Sequence, residues 1–250
     1  MIHKARRFVR DVLYGLTRLA SRDSKATTDL LDRVYMSRVN WGSGLGQGGF
    51  LLYALVRCLE PDVVVEIGSA RGHSTCTMAL ACQHNTRGKV YGIDPHEPTA
   101  WSDTGAGKGT EEFLRERLRM YGLEDRCEVV RATSAEAAKN WDRPIDLLFI
   151  DGDHTYEGVK TDFECFKPWL AGKALVVFHD STWDYESWRQ AKERDSRTQE
   201  IGVPQFLEEL RQAGYHSVTL PKIPGLTILD PHVGGRDFVA SWPVGQGTRV

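Results

Sequence analysis

DVVVEIGSARGHS, residues 62–74, is a β-branched run that stops at a glycine and restarts with helical spacing. Consecutive valines without polar alternation fit a strand covered on both faces. Gly68 and Gly72 flank a tight turn, and HSTCTMALACQH (73–84) carries on as a helix. Strand, glycine turn and helix form the first half of a βαβ unit.

The same alternation continues along the chain. KVYGID (89–94), CEVVRA (127–132), PIDLLFID (144–151) and KALVVFHD (173–180) read as further buried strands. TEEFLRERLRMYG (110–122), SAEAAKNW (134–141), YEGVKTDFECFKPWL (156–170) and IGVPQFLEELRQAG (201–214) read as helices. FLLYALVRCLE (50–60) is a further helix, stopped by Pro61. Right-handed crossovers then give a parallel sheet. YHSVTL (215–220) and GLTILD (225–230) are joined only by PKIPG (221–225), and a link that short permits only an antiparallel pair. The expected fold is therefore α/β: a mostly parallel sheet of seven strands, one antiparallel near the edge, with helices on both faces.

The 250 residues are 41% hydrophobic and 26% charged, which suits one large globular domain with an appendage. A net charge of −2 gives no polyanion signal, so nucleic acid is not an expected partner. Five cysteines without CxxC spacing point to a reducing, cytoplasmic setting. The N-terminal MIHKARRFVRDVLYGLTRLASR (1–22) is basic and helical in pattern, and Arg10, Asp11 and Arg18 interrupt its apolar residues. It lacks the core of a secretory signal, and no stretch suggests stable membrane insertion. Residues 1–45 are read as a helical extension and lid, and 46–250 as the main domain. WGSGLGQGG (41–49) reads as a mobile segment.

In an open α/β sheet, ligands bind at the carboxyl ends of the strands. The first strand ends in GxxxG instead of the GxGxxG of a dinucleotide site, and Glu66 stands just before it. A carboxylate there repels a pyrophosphate and attracts a cationic ligand. Asp94 ends the second strand, where an acid can accept ribose hydroxyls or form a turn before Pro95. After the third strand, Ser134 or Glu136 can face an adenine, or Thr133 or Ser134 can cap the helix. A ribose, a base and a positive group without phosphate describe S-adenosylmethionine.

FIDGDHTYEGVKTDF (149–163) sets Asp151, Asp153 and His154 where a buried strand surfaces. Asp180 ends the next strand, which neighbours this one in the common strand order. Two carboxylates brought together call for a proton or a cation between them. Oxygen ligands suit Mg²⁺ or Mn²⁺. His154 titrates in the range useful to a general base. Asp153 can orient it, bind the metal or cap the helix. Trp41, Trp101, Trp183, Tyr185 and Trp188 fall in candidate lid or rim segments, including 95–109, and favour a sugar or an aromatic acceptor.

EIGSARGHS, YGID, TSAEAA, FIDGDHTY and VVFHD, in that order, resemble the class I S-adenosylmethionine-dependent methyltransferases, with a Rossmann-like fold. The EIGxxxGxS and DGDHTY forms resemble the bacterial metal-dependent sugar and small-molecule O-methyltransferases. The resemblance covers about residues 60–232. It implies a cofactor site from Glu66, Gly68, Ser69, Gly72, Ser74, Asp94, Ser134, Ala135 and Asp151. It implies metal ligands at Asp151 and Asp180, with His179 standing where the family carries the first acid of a pair. His154 matches the base, and Asp153 the position used by another subgroup. The implied acceptor is a small molecule or an oligosaccharide, such as a partly methylated mannoside; a homodimer is expected, paired through the N-terminal helices. The alternatives are a metal-independent methyltransferase on a phenol or amine, an NAD(P)-dependent oxidoreductase, or a cofactor-binding protein without turnover.

Overall fold

The computed structural model describes residues 41–97, 109–182, 193, 201–221 and 225–232. Seven strands form one sheet: β1 (Val63–Ile67), β2 (Lys89–Ile93), β3 (Cys127–Val130), β4 (Ile145–Ile150), β5 (Leu170–Phe178), β6 (His216–Leu220) and β7 (Leu226–Asp230). Their order is β3-β2-β1-β4-β5-β7-β6. β7 runs antiparallel to both β5 and β6, and the other pairs are parallel. The fold expected from the strand–helix alternation is the one observed.

Register decides where the site lies. Ile67 pairs with Ile93 and Ile150, and Ile150 pairs with Phe178. The next residues, Gly68, Asp94, Asp151 and His179, therefore leave the sheet at one level.

The described helices are α1 (Gly48–Leu59), α2 (His73–His84), α3 (Thr110–Tyr121), α4 (Ser134–Lys139), α5 (Tyr156–Phe166) and α6 (Val203–Gln212). Strand residues alternate between two apolar layers. Phe149 and Val177 join α1, α2 and α3 on one face. Leu148, Val176 and Phe178 join α5 and α6 on the other. Phe163, Phe166, Phe178 and Phe206 are fully buried there, each worth about 1.5–3 kcal/mol of transfer free energy.

Two expectations need correction. The helix expected over 156–170 stops at Phe166; Lys167–Trp169 is a 3₁₀ turn and β5 starts at Leu170. Pro168 has no N–H to continue the α ladder and its ring crowds the preceding turn. The glycine-rich stretch 41–49 is not a mobile segment but an anchored turn running into α1. Leu45 is fully buried, and Trp41 stacks on His73 at 5.3 Å and meets Phe113 edge-on at 6.1 Å. Two apolar anchors outweigh the freedom of the glycines between them. Trp41 thus belongs to the core and not to a substrate rim.

The basic N-terminal helix, most of the proposed lid 95–109 with Trp101, and Trp183, Tyr185 and Trp188 lie outside the described residues.

Candidate active site

The turn after β1 is built for close approach. Gly68 has φ +88°, and a Cβ there would fall 2.1 Å from the Asp151 carbonyl oxygen. A glycine at 68 thus lets the β1 and β4 ends meet. Gly72 has φ +87°, and a Cβ there would strike Leu114 Cδ1 at 2.2 Å.

Glu66 is fully buried beneath this turn. The Thr75 hydroxyl donates to its Oε2 at 2.5 Å, and Oε1 has no hydrogen-bond partner. Burial pushes the carboxyl up to about 8, against the pull of the Ser74 and Thr75 hydroxyls. Ser69 is buried with an unpartnered hydroxyl. Orphaned polar atoms at a strand end are costly without a ligand.

Asp94 follows β2. It accepts the backbone N–H groups of Ala70 at 2.8 Å and His96 at 2.6 Å. These bonds bring the acid beside the glycine turn with its orientation set. His96 is buried, and its Nδ1 lies 3.0 Å from the Thr110 hydroxyl.

Beyond β3, the capping alternatives resolve. Thr133 caps α4, accepting from the Glu136 N–H, while the Glu136 carboxylate accepts the Thr133 N–H at 3.0 Å. This capping box uses Glu136 as a structural group. Ser134 instead points inward and donates to Asp162 Oδ1 at 2.5 Å. Ala135 follows it in the first turn of α4. Asp162 was not among the expected site residues. It sits on the buried stripe of α5 with Val159, Phe163 and Phe166, and burial raises its carboxyl to about 7. An acid at a core-facing helical position was the readable signal.

The stretch after β4 divides its polar groups. Asp153 Oδ1 accepts the Thr155 N–H at 2.9 Å, and Thr155 caps α5 by accepting the Gly158 N–H at 3.1 Å. Asp153 is exposed in this turn and is not brought to the cluster formed by its neighbours.

Asp151, His154 and Asp180 converge, with one potential ligand atom from each lying within 4.8 Å of the others. His154 Nδ1 is 3.1 Å from Asp180 Oδ2. The His154 carbonyl accepts the Gly202 N–H at 2.8 Å, tying the site to the start of α6. Asp180 adopts a left-handed φ of 50°, a strained setting for a residue with a side chain.

His179 lies beneath this group. Its Nδ1 is 2.8 Å from Asp151 Oδ1 and 3.3 Å from Asp180 Oδ2, and the residue is 4% exposed. Burial lowers its basicity, but the two carboxylates more than offset that and raise it to about 10. The imidazolium balances the acids from inside, and His179 is not among the three residues that converge as possible ligands.

Residues 65–181 match the family model described as "Methyltransferase domain". An uncharacterized protein of Sinorhizobium fredii is 32% identical over 130 residues, covering 51% of this chain and 14% of that protein. A mimivirus protein from Acanthamoeba polyphaga mimivirus is 27% identical over 146 residues, covering 56% and 59%. The chain thus spans less than two thirds of both relatives.

Among solved structures, the Podospora anserina methyltransferase PaMTH1 bound to SAH is similar at a TM-score of 0.59 and 14% identity, covering 80% of this chain and 86% of that one. A Bacillus cereus O-methyltransferase in complex with SAH matches at 0.55 and 18%, covering 83% and 90%. TomG, an O-methyltransferase of Streptomyces achromogenes in complex with SAM, matches at 0.54 and 17%, covering 82% and 88%. At these identities the structures speak for the fold. The methyltransferase-domain match takes in the strand ends just described, and the fold is the one these methyltransferase structures share.

Proposed function

We propose that this chain transfers the methyl group of S-adenosylmethionine to a hydroxyl of a sugar, oligosaccharide or glycoside, with a divalent ion at the strand-end cluster. The observation that carries this reading is the convergence of Asp151, His154 and Asp180 beside the Glu66–Gly72 turn.

Glu66 and the glycine turn face the amino acid end of the cofactor, and Asp94 its ribose hydroxyls. The acceptor oxygen attacks the methyl carbon, the carbon–sulfur bond breaks, and its electron pair stays on sulfur as the thioether. The hydroxyl proton goes to His154. With its Nδ1 proton directed at Asp180, the lone pair that accepts the acceptor's proton is on Nε2. Much of the rate comes from holding oxygen, carbon and sulfur in line.

The donor set fits a hard or borderline cation. Asp151 and Asp180 would supply carboxylates suited to Mg²⁺ or Mn²⁺, leaving His154 free to act as the base. Such an ion, when bound, makes a coordinated hydroxyl easier to deprotonate.

A second reading is a metal-independent transferase acting on a phenol or amine. The position of His179, 2.8 Å from Asp151 and 3.3 Å from Asp180, favours it, because an imidazolium already balances the acids. Methyl transfer to a panel of glycans and phenols, with Mg²⁺, with Mn²⁺ and with EDTA, separates the two. The metal reading predicts loss of turnover on glycans in EDTA and its return with metal. Full activity in EDTA would leave only the second.

Residues 1–45, apart from the anchored turn that starts at Trp41, are proposed to close over the acceptor and to pair two copies of the chain, and light scattering tests the dimer. All five cysteines are free thiols, which supports placing the protein in the cytoplasm. Among the described residues, no helix is long and apolar enough to cross a membrane.

A further inference from the structure

Asp162 is 5% exposed, on the stripe of α5 that faces the sheet. Its Oδ1 takes the hydroxyl proton of Ser134 at 2.5 Å, and its Oδ2 is buried with no hydrogen-bond partner. A Cβ on Gly152 would lie 2.9 Å from that Oδ2 and 3.1 Å from Ile67 Cγ2. The carboxyl therefore sits under the β4–α5 turn and reaches across to the first residue of α4. A pair serving packing alone would be expected to satisfy both oxygens.

Ser134 occupies the position where a base would be read. Asp94, proposed to hold the ribose, is bound into the β3 end, where its N–H donates to Val130 O at 3.1 Å and its carbonyl accepts the Ala132 N–H at 3.2 Å. Two residues further on is Ser134. A base attached to a ribose at Asp94 points toward that strand end.

We propose that Asp162 is a positioning residue that fixes the hydrogen-bond polarity of Ser134 and so selects a 6-amino purine over a 6-oxo purine. A hydroxyl has one proton and two lone pairs. Asp162, as a carboxylate, offers acceptors only and takes that proton. Ser134 Oγ is left able to accept and unable to donate. It matches the exocyclic amino group of adenine and opposes the carbonyl oxygen of hypoxanthine.

This inference rests on the cofactor reading above, and its test separates the two. Binding of S-adenosylhomocysteine and of its 6-oxo counterpart, S-inosylhomocysteine, is measured by calorimetry at pH 8.5, above the value of about 7 to which burial raises the Asp162 carboxyl. Wild-type protein is expected to prefer the adenosyl ligand by about ten- to a hundredfold. In Asp162→Asn, the amide can donate to Ser134 and release its proton, so the preference falls several-fold and the inosyl ligand gains affinity. In Ser134→Ala, the preference falls several-fold because the reader is gone. A purely structural role for Asp162 would weaken both ligands alike and leave the ratio unchanged. An unchanged ratio in Asp162→Asn overturns the proposal, as does an unchanged ratio in Ser134→Ala should the first variant not fold. A wild-type ratio near one also overturns it while leaving the cofactor reading intact. Failure of wild-type protein to bind S-adenosylhomocysteine overturns both.

Discussion

The two halves of the strand-end edge are built differently. On the β1–β2–β3 side, polar groups are held by neutral donors: Thr75 on Glu66, two backbone N–H groups on Asp94, and a capping box around Thr133. On the β4–β5 side, two carboxylates and two imidazoles meet at 2.8–3.3 Å. Backbone donors and caps persist across the working pH range, so the first side is a preformed cradle. The second side is a balance of charges, which a proton, a metal or an acceptor can shift. A cofactor needs the former and chemistry needs the latter.

The largest expected effect lies in the hinge between them. Gly68→Ala puts a Cβ 2.1 Å from the Asp151 carbonyl in a left-handed conformation. We expect a stability loss on the order of 3 kcal/mol and at least a roughly hundredfold loss of S-adenosylhomocysteine affinity. Thermal melts and calorimetry check both.

A smaller effect distinguishes the charged side. Asp151→Asn removes the nearer carboxylate from His179. His179 is raised to about 10 in the folded protein, so the stability it contributes is complete below its unfolded value of 6.5 and is lost as pH rises through 10. Melts from pH 6 to 10 should show the variant less stable by about 1–3 kcal/mol near pH 6, with the gap closing toward alkaline pH. A gap independent of pH would contradict the charge balance.

The mildest effect belongs to the cradle. Glu66 is raised from 4.5 to about 8, so between these values the unfolded chain gives up a proton that the folded protein keeps, and stability falls across that window. Glu66→Gln should melt a few degrees above wild type without ligand, at about 2–4 °C per kcal/mol. The gain should grow from pH 4.5 to about 8 and level off beyond it. The same variant should bind S-adenosylhomocysteine about tenfold more weakly.

The sheet was readable in the chain because buried parallel strands are continuous apolar runs, and VVVEI and IDLLFI match β1 and β4 nearly to the residue. The ends of β1, β2, β4 and β5 followed, since those runs stop at a glycine, an acid or a histidine. Other features were set by contacts between distant segments. Nothing in GSGLGQGG shows that Leu45 is fully buried or that Trp41 stacks on a helix residue. Spacing alone could not divide Asp153 from His154, because one carboxylate's choice of the Thr155 N–H is a local turn while the histidine's partner comes from β5. The Ser134–Asp162 bond joins residues 28 apart.

Loss of the His154 imidazole is the most direct test of the strand-end cluster. Transfer of labelled methyl from S-adenosylmethionine to the best acceptor of the glycan and phenol panel should be measured for wild type and His154→Ala, with S-adenosylhomocysteine binding measured alongside. The predicted result is a loss of kcat by about 10²–10⁴ with cofactor affinity unchanged. A variant that turns over at the wild-type rate would contradict the role of the Asp151–His154–Asp180 cluster.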